Sequence, residues 1–261
     1  MPDPRTYTGC YFLDTSTLIS RDWDDPPVKA RVQGDLHNKE CYSSVYVRCQ
    51  YKTRIVKSLI FVHTLVKTSK SFEEAKKRIE RNRGDPDDLT YQVAMRLFRF
   101  AKTTEEVTRR LERMIESDWR VQFDVAVRHD LCDLTKCKLG DGAPRRRDGC
   151  YWDIDKCPGE CGIHEFWIKQ AKDLQILAKL DVTSGARQND YKGTISKVQT
   201  QARKIIEKRE SPQGKACTEA LDDSIIAIEA RECHPGITVH TRDHDFEVLK
   251  SFLCIDVKVL R

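Results

Sequence analysis

The chain of 261 residues carries 46 Lys and Arg against 41 Asp and Glu, a formal net charge of +5. With 39% hydrophobic and 33% charged residues it reads as a soluble globular chain, one large domain or one domain with a substantial insertion. No run approaches the ~18 uncharged apolar residues of a membrane-spanning helix, which excludes a membrane partner, and "MPDPRTYTGCYFLDTS" lacks the basic segment and apolar run of a secretory signal. A cytoplasmic protein is the expectation. The mild positive charge is compatible with a polyanionic partner but does not point to one.

Residues 10–13, "CYFL", read as a short buried strand that ends on Asp14. The "TST" that follows offers hydroxyls suited to capping a helix. After the polar stretch "RDWDDPP" a helix is predicted around 28–38, and "ECYSSV" offers a second strand. From 46 to about 67, Val47, Tyr51, Ile55, Leu59, Val62 and Val66 recur at helical spacing.

Between about 70 and 210 the character changes. "SFEEAKKRIERNR", "DDLTYQVAMRLFRFAK" and "TTEEVTRRLERMIESDW" are charged helical segments, the third opening with a capping box from Thr103 to Glu106. A cysteine-bearing loop over 128–164 follows, then a helix from His164 to about Leu180, a loop, and the helix "TISKVQTQARKIIEKRE".

From 211 an α/β rhythm returns: the helix "KACTEALDDSIIAIEAREC", the strand "GITVHT", the short helix "DHDFEVLKSF" and the strand "CIDVKVL". The pattern predicts an α/β fold. Residues 1–67 and 211–261 would build one parallel sheet flanked by helices, interrupted by a mainly helical insertion over 68–210.

The acids fall at particular places in this scheme. Asp14 ends a strand, Asp222 and Asp223 lie in a helix rich in Ile and Ala, and Asp243 and Asp245 directly follow a strand. In an open parallel sheet the C-terminal strand ends form the ligand crevice, so Asp14, Asp243 and Asp245 would gather there. Carboxylates without matching Arg or Lys repel one another and favour a hard divalent cation, Mg²⁺ or Mn²⁺. Such an ion could activate water and neutralise charge developing on a phosphate. Taken singly, the same motifs also read as helix caps and a local turn.

As an ordered set they resemble the PIN-domain nucleases, which include bacterial toxin ribonucleases. "YFLDTSTLI" resembles the family's opening strand and first metal-binding Asp, here Asp14. "ALDDSIIAIEA" is similar to its third motif, with Asp223 at the matching position and Asp222 beside it. "ITVHTRDHDF" resembles the fourth, with Thr241, Asp243 and Asp245. The resemblance covers roughly 10–67 and 211–261. It implies a metal-dependent nuclease acting on RNA in preference to single-stranded DNA, with Asp14, Asp223 and Asp243 as Mg²⁺ or Mn²⁺ ligands and Asp245 assisting. It further implies Thr15, Ser16 and Thr241 as supports, and brings in pairing as a homodimer and an inhibitory partner protein as open questions. The family's second motif places a Glu early in the second helix, where this chain has Arg48, Cys49 and Gln50, with Glu40 just before the strand. That departure motivates an alternative: a PIN-fold RNA-binding or assembly module without catalysis that uses the cysteine-bearing loop, with its expected zinc, as contact surface. A haloacid-dehalogenase-type phosphatase would need an acid where Ser16 stands. His240 and His244 flank the fourth motif and suit strand packing or surface roles better than chemistry.

Eleven cysteines are many for a chain expected in a reducing compartment, where thiols fill cores or bind metal. Cys10, Cys41, Cys49, Cys217, Cys233 and Cys254 read as core filler. Within the insertion, Cys132 and Cys137, then Cys157 and Cys161, form two close pairs suited to a structural Zn²⁺, which is favoured over an iron–sulfur cluster, with a reduced, unligated set and disulfides as the alternatives. Cys150 and His164 could replace one of the four. Arg145, Arg146 and Arg147, followed by Tyr151 and Trp152, combine phosphate-binding cations with stacking rings, a combination used for single-stranded nucleic acid that reads equally as a solvated loop tip.

Overall fold

The computed structural model of the chain describes residues 9–81, 89–137, 144–147, 151–153, 162–180, 188–208 and 220–260. Strand β1 (Cys10–Leu13) ends on Asp14, whose carboxylate accepts the Thr17 backbone N–H at 2.8 Å and so caps α1 (Thr15–Trp23). The helix runs through much of the stretch expected to be irregular. It can do so because Asp22 is buried against Arg21 and Tyr51, and Trp23 donates its indole N–H to the Tyr51 hydroxyl. Asp25 caps α2 (Pro26–Leu36), whose first two positions are prolines that have no N–H to leave unpaired.

Strand β2 (Glu40–Tyr42) leads through Ser44, another side-chain cap, into α3 (Val45–Lys67). The predicted stripe on that helix is its core face: Val47, Tyr51, Ile55, Leu59 and Val62 are fully buried. Burial of this kind stabilises by about 1.5–3 kcal/mol per large apolar side chain.

In the insertion, α4 (Phe72–Arg81), α5 (Leu89–Arg99) and α6 (Thr104–Arg113) pack on α3. A π-helical turn over Met114–Asp118 continues α6 into α7 (Trp119–Ala126), longer than the sequence pattern suggested. Arg145–Arg147 (β3) and Tyr151–Asp153 (β4) form an antiparallel pair with Arg146 opposite Trp152. The single helix expected from 164 to 180 is two, α8 (Ile163–Lys169) and α9 (Ala171–Ala178), broken at Gln170, where no Gly or Pro marks the break. Gly162 is required by a close approach, since a Cβ there would lie 2.8 Å from the Thr135 carbonyl oxygen. Helix α10 (Gln188–Lys208) packs on α9.

The chain then returns through α11 (Asp222–Cys233), β5 (Thr238–Thr241), α12 (Asp245–Leu253) and β6 (Asp256–Val259). The result is the expected α/β fold: one all-parallel sheet in the order β2-β1-β5-β6, flanked by helices and consistent with a PIN-like arrangement. A single hydrophobic cluster takes in residues of both the sheet layer and the helical segment at 68–210. Among the described residues no helix is long and apolar enough to cross a membrane.

The cysteines depart from expectation. Cys132 is not a zinc ligand: it forms a disulfide with Cys233, 101 residues away. The cause is an isolated bridge in which Cys132 pairs with Ser44, the Val45 N–H donating to the Cys132 carbonyl at 2.8 Å. This draws the loop to the start of α3, beside the end of α11. Cys137 instead lies buried against Cys49, whose thiol is pushed up by its hydrogen bond with Cys137 and then by burial. The set Cys132, Cys137, Cys157 and Cys161 therefore does not hold as a tetrad. Cys150, Cys157, Cys161 and Cys217 lie outside the described residues, and His164 is half-buried on α8. Cys41 and Cys49 are buried as core filler, whereas Cys10 and Cys254 are exposed.

Glu229 on α11 is fully buried. Burial pushes its carboxyl up to about 8, and interactions with Ser44 and Thr135 offset only part of that. Two expectations follow from these contacts. Cys233→Ala, or reduction of the wild type, should lower unfolding free energy by about 3–5 kcal/mol, because the bond closes a long loop; equal urea midpoints with and without reductant would refute it. Glu229 stays protonated in the folded state while the unfolded chain ionises near pH 4.5, so wild-type stability should fall by a few kcal/mol as pH rises from there to about 8. Glu229→Gln should flatten that slope in urea titrations across the range, and a slope identical to wild type would contradict the assignment.

Candidate metal centre

Strands β1 and β5 are neighbours, and the chain leaves them in opposite directions, β1 towards β2 and β5 towards β6. This is the topological switch point of the sheet, where open parallel sheets form their ligand crevice. Register pairs Leu13 with His240, so Asp14 and the residues after Thr241 emerge side by side. Helix α11 runs back towards the start of β5, which puts its N-terminus, with Asp222 and Asp223, at the same edge.

Asp14 is 3% exposed and saturated with donors. One oxygen accepts the Thr17 N–H at 2.8 Å; the other accepts Thr241 Oγ1 at 2.8 Å; the Ser16 hydroxyl reaches both. Burial raises its carboxyl above the usual range, and these donors counter the shift. Thr241 Oγ1 also accepts the Asp243 N–H at 2.8 Å, and Ser16 Oγ accepts the Arg242 N–H at 2.9 Å. Asp243 in turn accepts the Asp245 N–H at 3.0 Å, fixing the start of α12. The cap reading and the acidic-site reading of these motifs thus hold for the same side chains.

The carboxylates that come together are Asp223, Asp243 and Asp245, with oxygens all within 4.8 Å of one another. Asp223 and Asp245 are half-buried and Asp243 is exposed. The Asp223 carboxyl is held well above the usual carboxylate range, first by burial and then by repulsion from Asp243, Asp14, Asp222 and Asp245. Asp245 is raised by burial and by Asp243. Asp14 therefore sits close enough to repel Asp223, but outside the group of three. Hydroxyl donors, not open coordination space, surround it. Asp222 accepts a hydrogen bond from the Tyr46 hydroxyl. Thr15 turns away from Asp14 and donates to Gln50 Oε1 at 2.7 Å.

That contact sets Gln50, rather than the buried Cys49, beside Thr15 at the acidic edge. Tyr46, Gln50 and Arg54, spaced four apart along α3, continue the face that looks at the acidic edge. Periodicity could have found it as the polar complement of the apolar stripe. Beyond it lies a cleft of about 740 Å³, lined by Ser16, Ile19, Arg54, Lys57, Leu89 and Asp243, among others. Arg242 borders the cleft but is committed to Asp24 and Ser20. His240 is buried, its ring beside Thr17, and burial pulls it down to about 4, so it is a neutral packing residue. His244 is exposed, beside Glu247. The side chains of Arg145, Arg146, Arg147, Tyr151 and Trp152 lie outside the described structure.

No protein-family model, no curated protein and no solved structure matches this chain.

The raised Asp223 carboxyl sets a direction for stability. Above its ordinary value near pH 4 the unfolded chain ionises while the folded one resists, so the cluster destabilises the metal-free protein at neutral pH and not in acid. We expect Asp223→Asn to melt higher than wild type in EDTA at pH 7, by about 2–4 °C per kcal/mol of repulsion relieved, with the gain fading towards pH 4. Mn²⁺ should raise the melting temperature of wild type and leave the variant unmoved. Equal shifts in both proteins would sink the assignment.

Proposed function

We propose that the chain is a metal-dependent nuclease that hydrolyses phosphodiester bonds, RNA ahead of single-stranded DNA. The observation that carries this reading is the group Asp223, Asp243 and Asp245 at the switch point, with no cation among the main influences on Asp223. The resemblance of the flanking motifs to PIN-domain nucleases supports it. Oxygen-only donors suit Mg²⁺ or Mn²⁺. An ion held by Asp223, Asp243 and Asp245 would supply Lewis acidity towards the phosphate and make water a better nucleophile.

The protein's own groups divide the remaining work. Asp223 and Asp245, held on the first turns of α11 and α12, furnish rigid half-buried oxygens. Asp243, exposed, faces the entering phosphate. Asp14, with Ser16 and Thr241, fixes the loop that carries Asp243 and adds negative charge that favours a cation over an open pair of acids.

Gln50 at the place of the second-motif acid favours one other reading, an RNA-binding module of the same fold without cleavage. The purified protein with labelled single-stranded RNA and DNA, in Mn²⁺ and in EDTA, separates the two. We expect Mn²⁺-dependent cleavage, lost by at least two orders of magnitude in Asp243→Asn and in Asp14→Asn, with the circular dichroism spectrum unchanged since Asn also caps helices. RNA bound equally in EDTA, with no product in Mn²⁺, would establish the binding module instead.

A further inference from the structure

Arg54 and Lys57, three apart on α3, line the cleft of about 740 Å³ whose wall also includes Asp243 of the acidic group. Both are exposed, and neither meets a carboxylate among the described residues. The other cation in the wall, Arg242, is neutralised by Asp24. Two positive charges with no carboxylate partner among the described residues thus stand in the cleft that Asp243 of the acidic group also lines. Side chains three apart on a helix lie about 5–6 Å apart at Cβ, a span that serves successive phosphates of one strand. Ile19 and Leu89, both half-buried, add apolar surface to the same cleft.

We propose that this cleft holds a single nucleic-acid strand, with Arg54 and Lys57 on the phosphates next to the one presented to Asp243. The inference rests on the nuclease reading of the carboxylates and adds the path of the substrate to it. A single strand is the class that fits. Asp223 and Asp245 are recessed, so a phosphate must bend inwards to meet them, and a flexible strand does so where a duplex backbone resists. The apolar surface of Ile19 and Leu89 suits unpaired bases, whose faces a duplex keeps stacked inside. The cleft volume falls in the range of roughly 300–1,000 Å³ that encloses small organic ligands, enough for a short stretch of strand.

The test is fluorescence anisotropy with a labelled twelve-nucleotide RNA, DNA of the same sequence, and the RNA duplex, titrated with the full-length wild type and Arg54→Ala/Lys57→Ala, with Ca²⁺ replacing Mn²⁺. Single strands should bind more tightly than duplex. The double variant should lose about tenfold or more in affinity, and its salt slope should fall by about 1.4, near 0.7 for each phosphate contact removed. The RNA and DNA arms report which sugar is preferred. Wild-type affinity and slope in the variant, tighter binding of duplex, or no binding by the wild type would each overturn the proposal. Hydrolysis of bis(p-nitrophenyl) phosphate by the wild type in Mn²⁺ is measured alongside, because so small a diester reports on the carboxylates without the cleft. Hydrolysis with unchanged RNA binding in the variant removes the cleft and keeps the nuclease. Lost RNA binding without hydrolysis keeps the cleft and removes the nuclease.

Discussion

The arrangement depends on one buried carboxylate. Asp14 accepts hydrogen bonds from the backbone of α1, from Ser16 and from Thr241, which lies 227 residues further along the chain. Those bonds fasten the C-terminal ends of β1 and β5 together with no Lys or Arg involved. Thr241 passes the constraint on by accepting the Asp243 N–H, and Asp243 passes it to Asp245. A chain of short polar contacts in a dry environment is stiff, because each member is costly to leave unpaired. The place of Asp243 and Asp245 beside Asp223 follows from that stiffness.

Much of this edge could be read from the residues. A four-residue apolar run ending on Asp, an Asp pair opening an Ile-rich helix, and a strand running into "TRDHDF" put acids at strand and helix ends, and the structure gathers three of them. Which three was not legible. An Asp after a strand followed by Ser and Thr serves equally as a ligand or as a cap, and only the positions of the Thr17 N–H and Thr241 hydroxyl show Asp14 spending its lone pairs on caps. Arg48, Cys49 and Gln50 are equivalent candidates in the sequence, and that Gln50 is the one at this edge shows only in its bond to Thr15.

The cysteines show a different limit. Close spacing within "CDLTKC" suggested one ion for both thiols, yet Cys132 and Cys137 face different partners, Cys233 and Cys49. Spacing in sequence constrains two side chains only when nothing else holds the loop. Here the bridge between Cys132 and Ser44 holds it first. For Cys132 and Cys233 the outcome is a disulfide, the alternative that the zinc reading left open for the loop and the core-filler reading did not foresee for Cys233.

Two places oppose the fold at neutral pH: the acidic group around Asp223, and the lone carboxyl of Glu229 in the core. Mutually repelling carboxyls held in place by a surrounding structure, as around Asp223, are a common mark of a site whose partner is a cation. Under the proposed reading that partner is a divalent ion at the switch point, and anomalous diffraction from crystals grown with Mn²⁺ tests it most directly. A manganese peak is expected among the oxygens of Asp223, Asp243 and Asp245, on the cleft side of Asp14. A peak elsewhere, or none at a concentration that saturates ordinary Mn²⁺ sites, would contradict it.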